Sequence, residues 1–592
     1  MHTRWRTRPG KVATWVMVAG MLAGGGVLTA CTSLPGDGSP QVLRSWEPAV
    51  PTEEDNAGPI DGQEPDLLLR SFFAALGRPT GSHQAARAYL TQAMAEAWND
   101  GDGATIVDRI DITTTAMRGN NRVTFTARGS VVGSLGTGGA YRPAEGELEA
   151  TIDMVKVDGQ WRIDALPQGV LLERTELQNN FSPQNLFFFD STGRFLVRDR
   201  RWVYTRQPQL DTALISLLME GPTGLLGPGV ETVVPPGGTF TGISDGAYMF
   251  TGFNDLKPDD RHKFAAQVIW TLAKGGITGP YRIELDGAPI DPDHVDMDVD
   301  DVAEYNPSAP QAAVAPLYTL LDGNLFKLEG DRILPLNTVD STFTTGMLTS
   351  AAVSVSGEQP LAAAVALEPG SGEEGDRFEL LVGPTDGAPS VVMDGATLTR
   401  PSFEYGGTAL WTVADGRDVV RIARSTATGD MTQQAVEMPD LDDDPMADTP
   451  ISDLMLSPTG VRAAMIRDGV VYLGTVARPG PGERRIVNVI PAAPAIGNTA
   501  ISLDWMRDGS LIVGTSDPDS PVWRVEPDGS GATPLPSGNI TAPVVEVATS
   551  ATMLYLTDAR ATLQLPVNAG ATAFWREVPA LVGSGGYLIV GS

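Results

Sequence analysis

The chain of 592 residues carries 42 Lys and Arg against 73 Asp and Glu, a formal charge of −31, and at ~150 residues per domain its length suits about four domains. Hydrophobic residues make up 42%, enough for several cores, which excludes wholesale disorder, while 66 Gly and 45 Pro exclude a long helical array because both residues break helices. An acidic surface repels phosphate, which excludes nucleic acid as a partner, and a single cysteine excludes an intramolecular disulfide, a cysteine zinc site or an iron–sulfur cluster.

Arg4, Arg6, Arg8 and Lys11 form a basic start with no acidic residue before Cys31. An apolar stretch follows over residues 12–30, interrupted by Gly20 and Gly24-Gly25-Gly26. Basic start, apolar run and small closing residues describe a secretory signal over residues 1–30. A membrane-spanning anchor is the competing reading, since the run approaches the ~20 residues a span needs. The glycines and the position of the only cysteine favour the signal. Its ending, Leu28-Thr29-Ala30-Cys31, resembles the lipobox of bacterial lipoproteins. That resemblance implies cleavage between Ala30 and Cys31, with an S-diacylglycerol and an N-acyl chain on Cys31. Two or more acyl chains hold a protein stably on a bilayer. The remainder is thus expected at the cell membrane, lipid-anchored on its extracytoplasmic face. Residues 31–63, rich in Pro, Gly, Ser, Asp and Glu without apolar periodicity, read as a flexible stalk.

Residues 64–178 start helical and turn to strand. Leu67, Leu68, Phe72 and Leu76 recur at helical spacing, as do Ala86, Tyr89, Leu90, Met94 and Trp98. Val123, Phe125 and Ala127 then alternate, as do Leu148, Ala150, Ile152 and Met154, and residues 155–163 read as a hairpin turning at Asp158-Gly159. Helices on one face of an antiparallel sheet predict an α+β domain. Its order resembles the nuclear-transport-factor-like (NTF2), cystatin-type fold.

Residues 179–298 predict a second α+β unit. Strands begin at Leu186 and Leu196, a helix over 211–218 ends in Glu220-Gly221-Pro222, and Pro235-Pro236-Gly237-Gly238-Thr239 precedes a hairpin. A later helix carries Phe264, Gln267, Val268, Thr271 and Leu272, and residues 283–287 close the unit. This succession resembles the GerM-type sporulation and germination domain, on Leu217, Gly221, Pro222, Pro236, Gly238, Thr239, Gln267, Thr271 and Leu272. Residues 299–312 are expected to be a solvated acidic linker.

From residue 313 to the end the chain repeats. Apolar pairs two apart recur at Val353/Val355, Phe403/Tyr405, Leu454/Leu456, Leu503/Trp505 and Val545/Val547, at intervals of 50, 51, 49 and 42 residues. A second strand follows each pair, a third follows most, and turns carry Gly357, Gly406-Gly407, Pro458-Thr459-Gly460, Asp508-Gly509 and Asp528-Gly529. Several short strands repeating at ~40–50 residues are the pattern of an all-β propeller. Residues 317–328 and 587–590 are expected to share one split blade, giving six blades, with seven as the alternative.

Catalytic signals are thin. Gly242-Ile243-Ser244-Asp245-Gly246 matches G-x-S-x-G, but Ser244 lies in strand–turn–strand, where a nucleophile elbow needs strand–turn–helix. His83, His262 and His294 sit in separate segments without metal-ligand spacing. Asp296-Met297-Asp298-Val299-Asp300 opens like a calcium loop, but Asp301 stands where glycine is needed and Pro307 where the bidentate Glu belongs. Asp440 and Asp442-Asp443-Asp444 read as an outer propeller loop. No phosphate-binding or dinucleotide glycine motif occurs, so neither catalytic residue, cofactor nor metal is expected.

Lipobox, stalk, α+β domain, GerM-type domain and propeller, in that order, resemble the actinobacterial lipoprotein LpqB family over essentially the whole chain. The most specific stretches are 217–222, 235–239 and 451–472. The resemblance implies an accessory role beside the extracytoplasmic part of the sensor histidine kinase of the MtrA/MtrB two-component system, and through it an influence on envelope homeostasis and division. Rigid modules without a catalytic constellation agree with a binding role. A passive scaffold binding cell-wall polymer is the second reading. An envelope hydrolase is the third, and it predicts convergent carboxylates or a Ser/His pair at the mouth of the propeller channel.

Overall fold

A computed structural model describes residues 58–592 apart from 102, 207, 309–313, 337–342, 358, 369, 371–374, 426, 443–447 and 481. The lipobox residues Leu28, Thr29, Ala30 and Cys31, and most of the expected stalk, lie outside the described residues.

The first domain opens with helix α1 (Pro65–Leu76), started by Pro65 at its first position with Asp66 in the first turn, where an N-terminus tolerates proline and favours an anion. Leu68, Leu69, Phe72, Phe73 and Leu76 are buried, but Leu67 is 52% exposed, so the apolar face is rotated one residue from the expected one. The helix expected over 86–98 is two pieces, α2 (Thr80–Arg87) and α3 (Gln92–Ala97). Between them Leu90 forms a bridge to Ile163, and Thr91 caps α3 by accepting from the Met94 amide. The helices cover a sheet ordered 160–165, 141–157, 122–135, 104–107 and 170–173, with 111–118 also paired to 122–135. Phe125, Ile152, Met154 and Ile163 meet Phe72 and Trp98 across it. The hairpin at Asp158-Gly159 turns with both residues at positive φ, as a two-residue turn between right-twisted strands requires.

The second domain packs helices α4 (Arg174–Asn180), α5 (Leu210–Glu220) and α6 (Pro258–Lys274) with a sheet ordered 196–204, 181–190, 230–231 and another built on 239–244, 247–251 and 281–285. Helix α6 is buried along most of its length, and Phe250, Phe253 and Phe264 form an aromatic knot with centroids 4.8–5.8 Å apart. The expected linker over 299–312 is corrected in its first half. Val302 is fully buried, its carbonyl accepts from the Trp270 indole at 3.2 Å, and Tyr305 stands edge-on to Phe189 at 5.0 Å. Acidic neighbours hid two apolar anchors that complete this domain's core.

The remainder forms six four-stranded sheets among the described residues, so the propeller has six blades. The first is split: strands 317–321, 324–329 and 332–335 are completed on the inside by the C-terminal strand 587–590. Ser592 then bonds through its backbone to Val353 and Val355 of the second blade (348–395), so the closure spans two blades. The third to sixth blades run over 402–435, 451–491, 500–534 and 546–577. Stacked sheets bury Val413 against Leu454, and Leu473 against Leu503, in contact clusters shared between neighbouring blades. Each sheet thus gains a partner for each apolar face.

Candidate functional site

The second domain sits on one rim of the propeller, and the two enclose a cavity of about 820 Å³. Its floor is made of turns between the first and second strands of four blades: Tyr405, Ser457-Pro458-Thr459, Asp508-Gly509 and Ser550-Ala551. Its roof is residues 193–198, with Lys274 at the end of α6 and residues 304–308. The roof is braced by Asp190, 1% exposed, whose carboxylate accepts from the amides of Thr192 (3.1 Å), Arg194 (2.9 Å) and Phe195 (2.9 Å). That turn delivers Phe195 edge-on to Tyr405 at 4.7 Å and sets the Arg194 guanidinium over the Tyr405 ring at 5.2 Å, pairings that add modest specific attraction.

The junction beside the cavity is polar and close-fitting. A bulge in the fourth blade, between Leu473 and Thr475 on one strand, offsets the register opposite Asn488, and bulges re-aim side chains. Here Thr475 Oγ1 donates to the Leu225 carbonyl at 2.7 Å, and Asn488 Nδ2 donates to Gly224 and Leu225, both at 2.9 Å. Arg200 pairs with Glu526 at 2.6 Å and Asp528 at 3.4 Å, and Arg462 donates to the Arg198 carbonyl at 2.8 Å. On the other side Arg201 donates to Gly138 of the first domain at 3.1 Å. All three domains are thereby bonded together.

A second constellation lies on the propeller axis. Arg400 enters from the third blade, Asp453 from the fourth, Asp504 from the fifth and Glu546 from the sixth. Arg400 pairs with Glu546 and, at 3.2 Å, with Asp453, and it donates to the Leu503 carbonyl at 2.7 Å. Asp504 accepts from the amides of Trp505 (2.8 Å) and Thr549 (2.7 Å). Burial opposes the Arg400 charge, but the three carboxylates hold it above the ordinary arginine range. Burial pushes the Asp504 carboxyl up to about 6 and that of Glu546 up to about 7, against the pull of Arg400. The sequence had suggested convergent carboxylates only for a hydrolase. Instead, Asp453 and Glu546 share one guanidinium and Asp504 is held by backbone amides, the geometry of a lock between blades. Their raised values predict a sign. Above the ordinary carboxylate range the folded cluster retains protons that the unfolded chain has released, so its contribution to stability falls as pH rises from about 4 to about 7. Glu546→Gln is expected to flatten that segment of the melting-temperature profile. An unchanged slope would show that the cluster does not titrate there.

The GerM-like positions lie in the core and turns of the second domain. Gly221 ends α5 at φ 94°, open to glycine without strain, and its carbonyl accepts from Arg201 at 2.8 Å. A Cβ on Gly238 would stand 2.9 Å from the Phe253 ring. Gln267 is fully buried and donates to the Phe187 carbonyl at 2.8 Å, while Thr271 and Leu272 fill the same core and Leu217 packs at its margin. Pro222, Pro236 and Thr239 shape the adjoining turn and strand start.

Ser244 lies where a β-hairpin turns through Asp245 and Gly246, both at positive φ, without the helix that a nucleophile elbow needs. His83, His262 and His294 each meet one carboxylate, Asp100, Glu304 and Asp291, in three separate places. Asp296 pairs with Arg282 at 2.8 Å, and Asp298 and Asp301 accept from backbone amides. No group of metal-ligating side chains assembles among the described residues. Asp440, on a short helical turn outside the ring, accepts from the Val489 amide at 3.1 Å; the side chains of Asp442, Asp443 and Asp444 lie outside the described residues. Sequence reasoning missed Arg194, Arg198, Arg400 and Arg462. The one available signal was the charged run 198–201 inside the strand that begins at Leu196.

Among the described residues no helix is long and apolar enough to cross a membrane. Three family models match: lipoprotein LpqB, N-terminal domain, over residues 58–178; sporulation and spore germination over 185–291; and lipoprotein LpqB β-propeller domain over 323–586. A lipoprotein LpqB of Corynebacterium diphtheriae is 42% identical, covering 95% of this chain and 96% of that protein. The namesake of Mycolicibacterium smegmatis is 34% identical over 96% and 97% of the two chains, and that of Mycobacterium bovis 32% over 94% and 96%. Identity of this depth along the whole length, with three domains matched in order, places the chain in the lipoprotein LpqB family.

Proposed function

We propose that the protein is a tethered extracytoplasmic binding protein that acts on the extracytoplasmic part of a two-component sensor kinase and performs no turnover of its own. The observation that carries this reading is the bonding of three domains into one compact unit, with the broad propeller rim partly capped by the second domain. Such a body presents extended surfaces in fixed relation, as a recognition module requires. The axial carboxylates support it too, being engaged by Arg400 and backbone amides. Crosslinking mass spectrometry on intact membranes tests it. Crosslinks to a sensor kinase, lost when residues 58–592 are deleted, are the expected result; crosslinks confined to wall polymer, or turnover of a wall substrate by the purified protein, would overturn it.

The tether supplies a separate prediction. A net-acidic body is repelled by anionic lipid, so attachment must come from acyl chains on Cys31. Cys31→Ala is expected to shift the protein from the membrane to the medium or to leave it with an uncleaved leader, while its melting temperature is unchanged. Fractionation and intact-mass measurement read both outcomes, and an unacylated, still membrane-bound wild-type protein would contradict the lipid anchor.

A further inference from the structure

The cavity under the second domain is lined by positive charge in a chain of formal charge −31. Arg194, Arg198, Lys274, Arg462 and Arg507 face it against only Glu304 and Asp508. The carboxylates nearest its inner wall are already engaged: Asp508 by Ser510 and Arg524, and Glu526 by Arg200. Neither Arg198 nor Arg462 has a carboxylate within ion-pair distance among the described residues. Yet these two are brought to one wall, because Arg462 donates to the Arg198 carbonyl. Burial lowers the pKa of both, outweighing the nearby carboxylates Asp508 and Glu526 at Arg198 and Asp199 at Arg462, and the Arg198 charge adds to the fall of Arg462 to about 10. Two half-buried guanidinium groups that no carboxylate touches are costly unless an anion joins them. Arginine is the side chain suited to that anion, since its planar fork engages phosphate or carboxylate bidentately.

Shape and composition match a small molecule. Cavities of about 300–1,000 Å³ with a few convergent polar groups are typical of ligand sites, and this one is about 820 Å³. Lining the same cavity, Tyr405 is 39% exposed and carries Arg194 above its ring and Phe195 at its edge. That surface offers a platform for a second ring.

We propose that this cleft binds a small organic anion bearing a ring, with its phosphate or carboxylate group between Arg198 and Arg462 and its ring on the Tyr405–Phe195 platform. The site needs both domains, since its anion-holding arginines come from opposite sides of the junction. It stands independently of the kinase partnership.

Titration calorimetry on the full-length lipoprotein in neutral detergent tests the site, with phenyl phosphate, benzoate, inorganic phosphate and neutral benzyl alcohol as probes. At least one ring-bearing anion is expected to bind more tightly than inorganic phosphate or benzyl alcohol, and to weaken as NaCl is raised. The stronger of phenyl phosphate and benzoate identifies the anionic group. Arg198→Gln is expected to weaken binding roughly ten- to a hundredfold, the cost of a lost charged hydrogen bond, whereas Arg198→Lys retains part of it. Because Arg198 lacks an ion partner, Arg198→Gln should melt no lower than wild type. Should that variant fail to fold, Arg194→Gln, on an exposed side chain, provides the second reading through a severalfold loss for ring-bearing probes only. No binding of either ring-bearing anion up to about 10 mM, or binding that is indifferent to these substitutions, overturns the proposal.

Discussion

Arg400→Ala is expected to destabilise the propeller by about 3–5 kcal/mol at neutral pH, lowering its melting temperature by on the order of 10 °C. The substitution removes the one cation among Asp453, Asp504 and Glu546 and leaves three carboxylates facing each other at the axis, together with a Leu503 carbonyl stripped of its donor. Breaking a buried pair from one side costs far more than removing it entirely, because the remaining charge has no solvent to retreat to. Two corollaries separate this cause from simple loss of packing. The deficit should shrink near pH 5, where the carboxylates, already pushed upward by burial, take up protons. Neutralising the acids alongside Arg400→Met, through Asp453→Asn, Asp504→Asn and Glu546→Gln, should recover most of the loss. Calorimetry at two pH values reads all three. A drop of less than about 1 kcal/mol for the single variant would mean that the axis is wet and the cluster ornamental to folding.

That lock was invisible in the sequence, because Asp453, Asp504 and Glu546 stand 53, 104 and 146 residues from Arg400 and share no motif. The blades were legible for the opposite reason. Their inner strands are short apolar runs buried on both faces, as in Leu361–Leu367 and Ala409–Ala414, and such runs return once per blade. The outermost strands were not legible: Met431–Ala435 and Arg576–Glu577 lie at the rim, largely exposed, and water removes the selection for apolar alternation that marks a strand. The same physics explains the first-domain helix that breaks at Leu90. Helical spacing of Tyr89, Leu90 and Trp98 recorded burial correctly, but Leu90 is buried through a bridge to Ile163, an attachment that local periodicity does not encode. The GerM-like residues were readable because each serves a local need, a positive φ at Gly221 or a ring pressed on Gly238. The cleft was not, since its arginines meet only after the second domain docks on the fourth blade.

The second large effect is expected at Asp199. Asp199 and Arg201 are 2% and 3% exposed, two residues apart on one strand, and bonded through Arg201 Nε at 3.0 Å and Nη2 at 2.9 Å. Asp199 also accepts from the Thr223 amide at 2.8 Å and its hydroxyl at 2.9 Å, while Arg201 reaches Gly221 and, in the first domain, Gly138. Asp199→Ala therefore strands a buried guanidinium and leaves two Thr223 donors unpaired. The cost is expected at about 3–5 kcal/mol, measured as a lowered urea midpoint with early proteolytic cleavage near residues 221–229. Asp199→Leu combined with Arg201→Met should return much of that loss, since an apolar pair of similar volume needs no counter-charge. Binding distinguishes the two variants from each other. Asp199 lies on the strand that carries Arg198, so the single variant should loosen the roof of the cleft and weaken the anion, whereas the double variant, with the strand repacked, should restore it. A double variant that regains stability but not binding would show that the ion pair sets the position of Arg198 in addition to holding the fold.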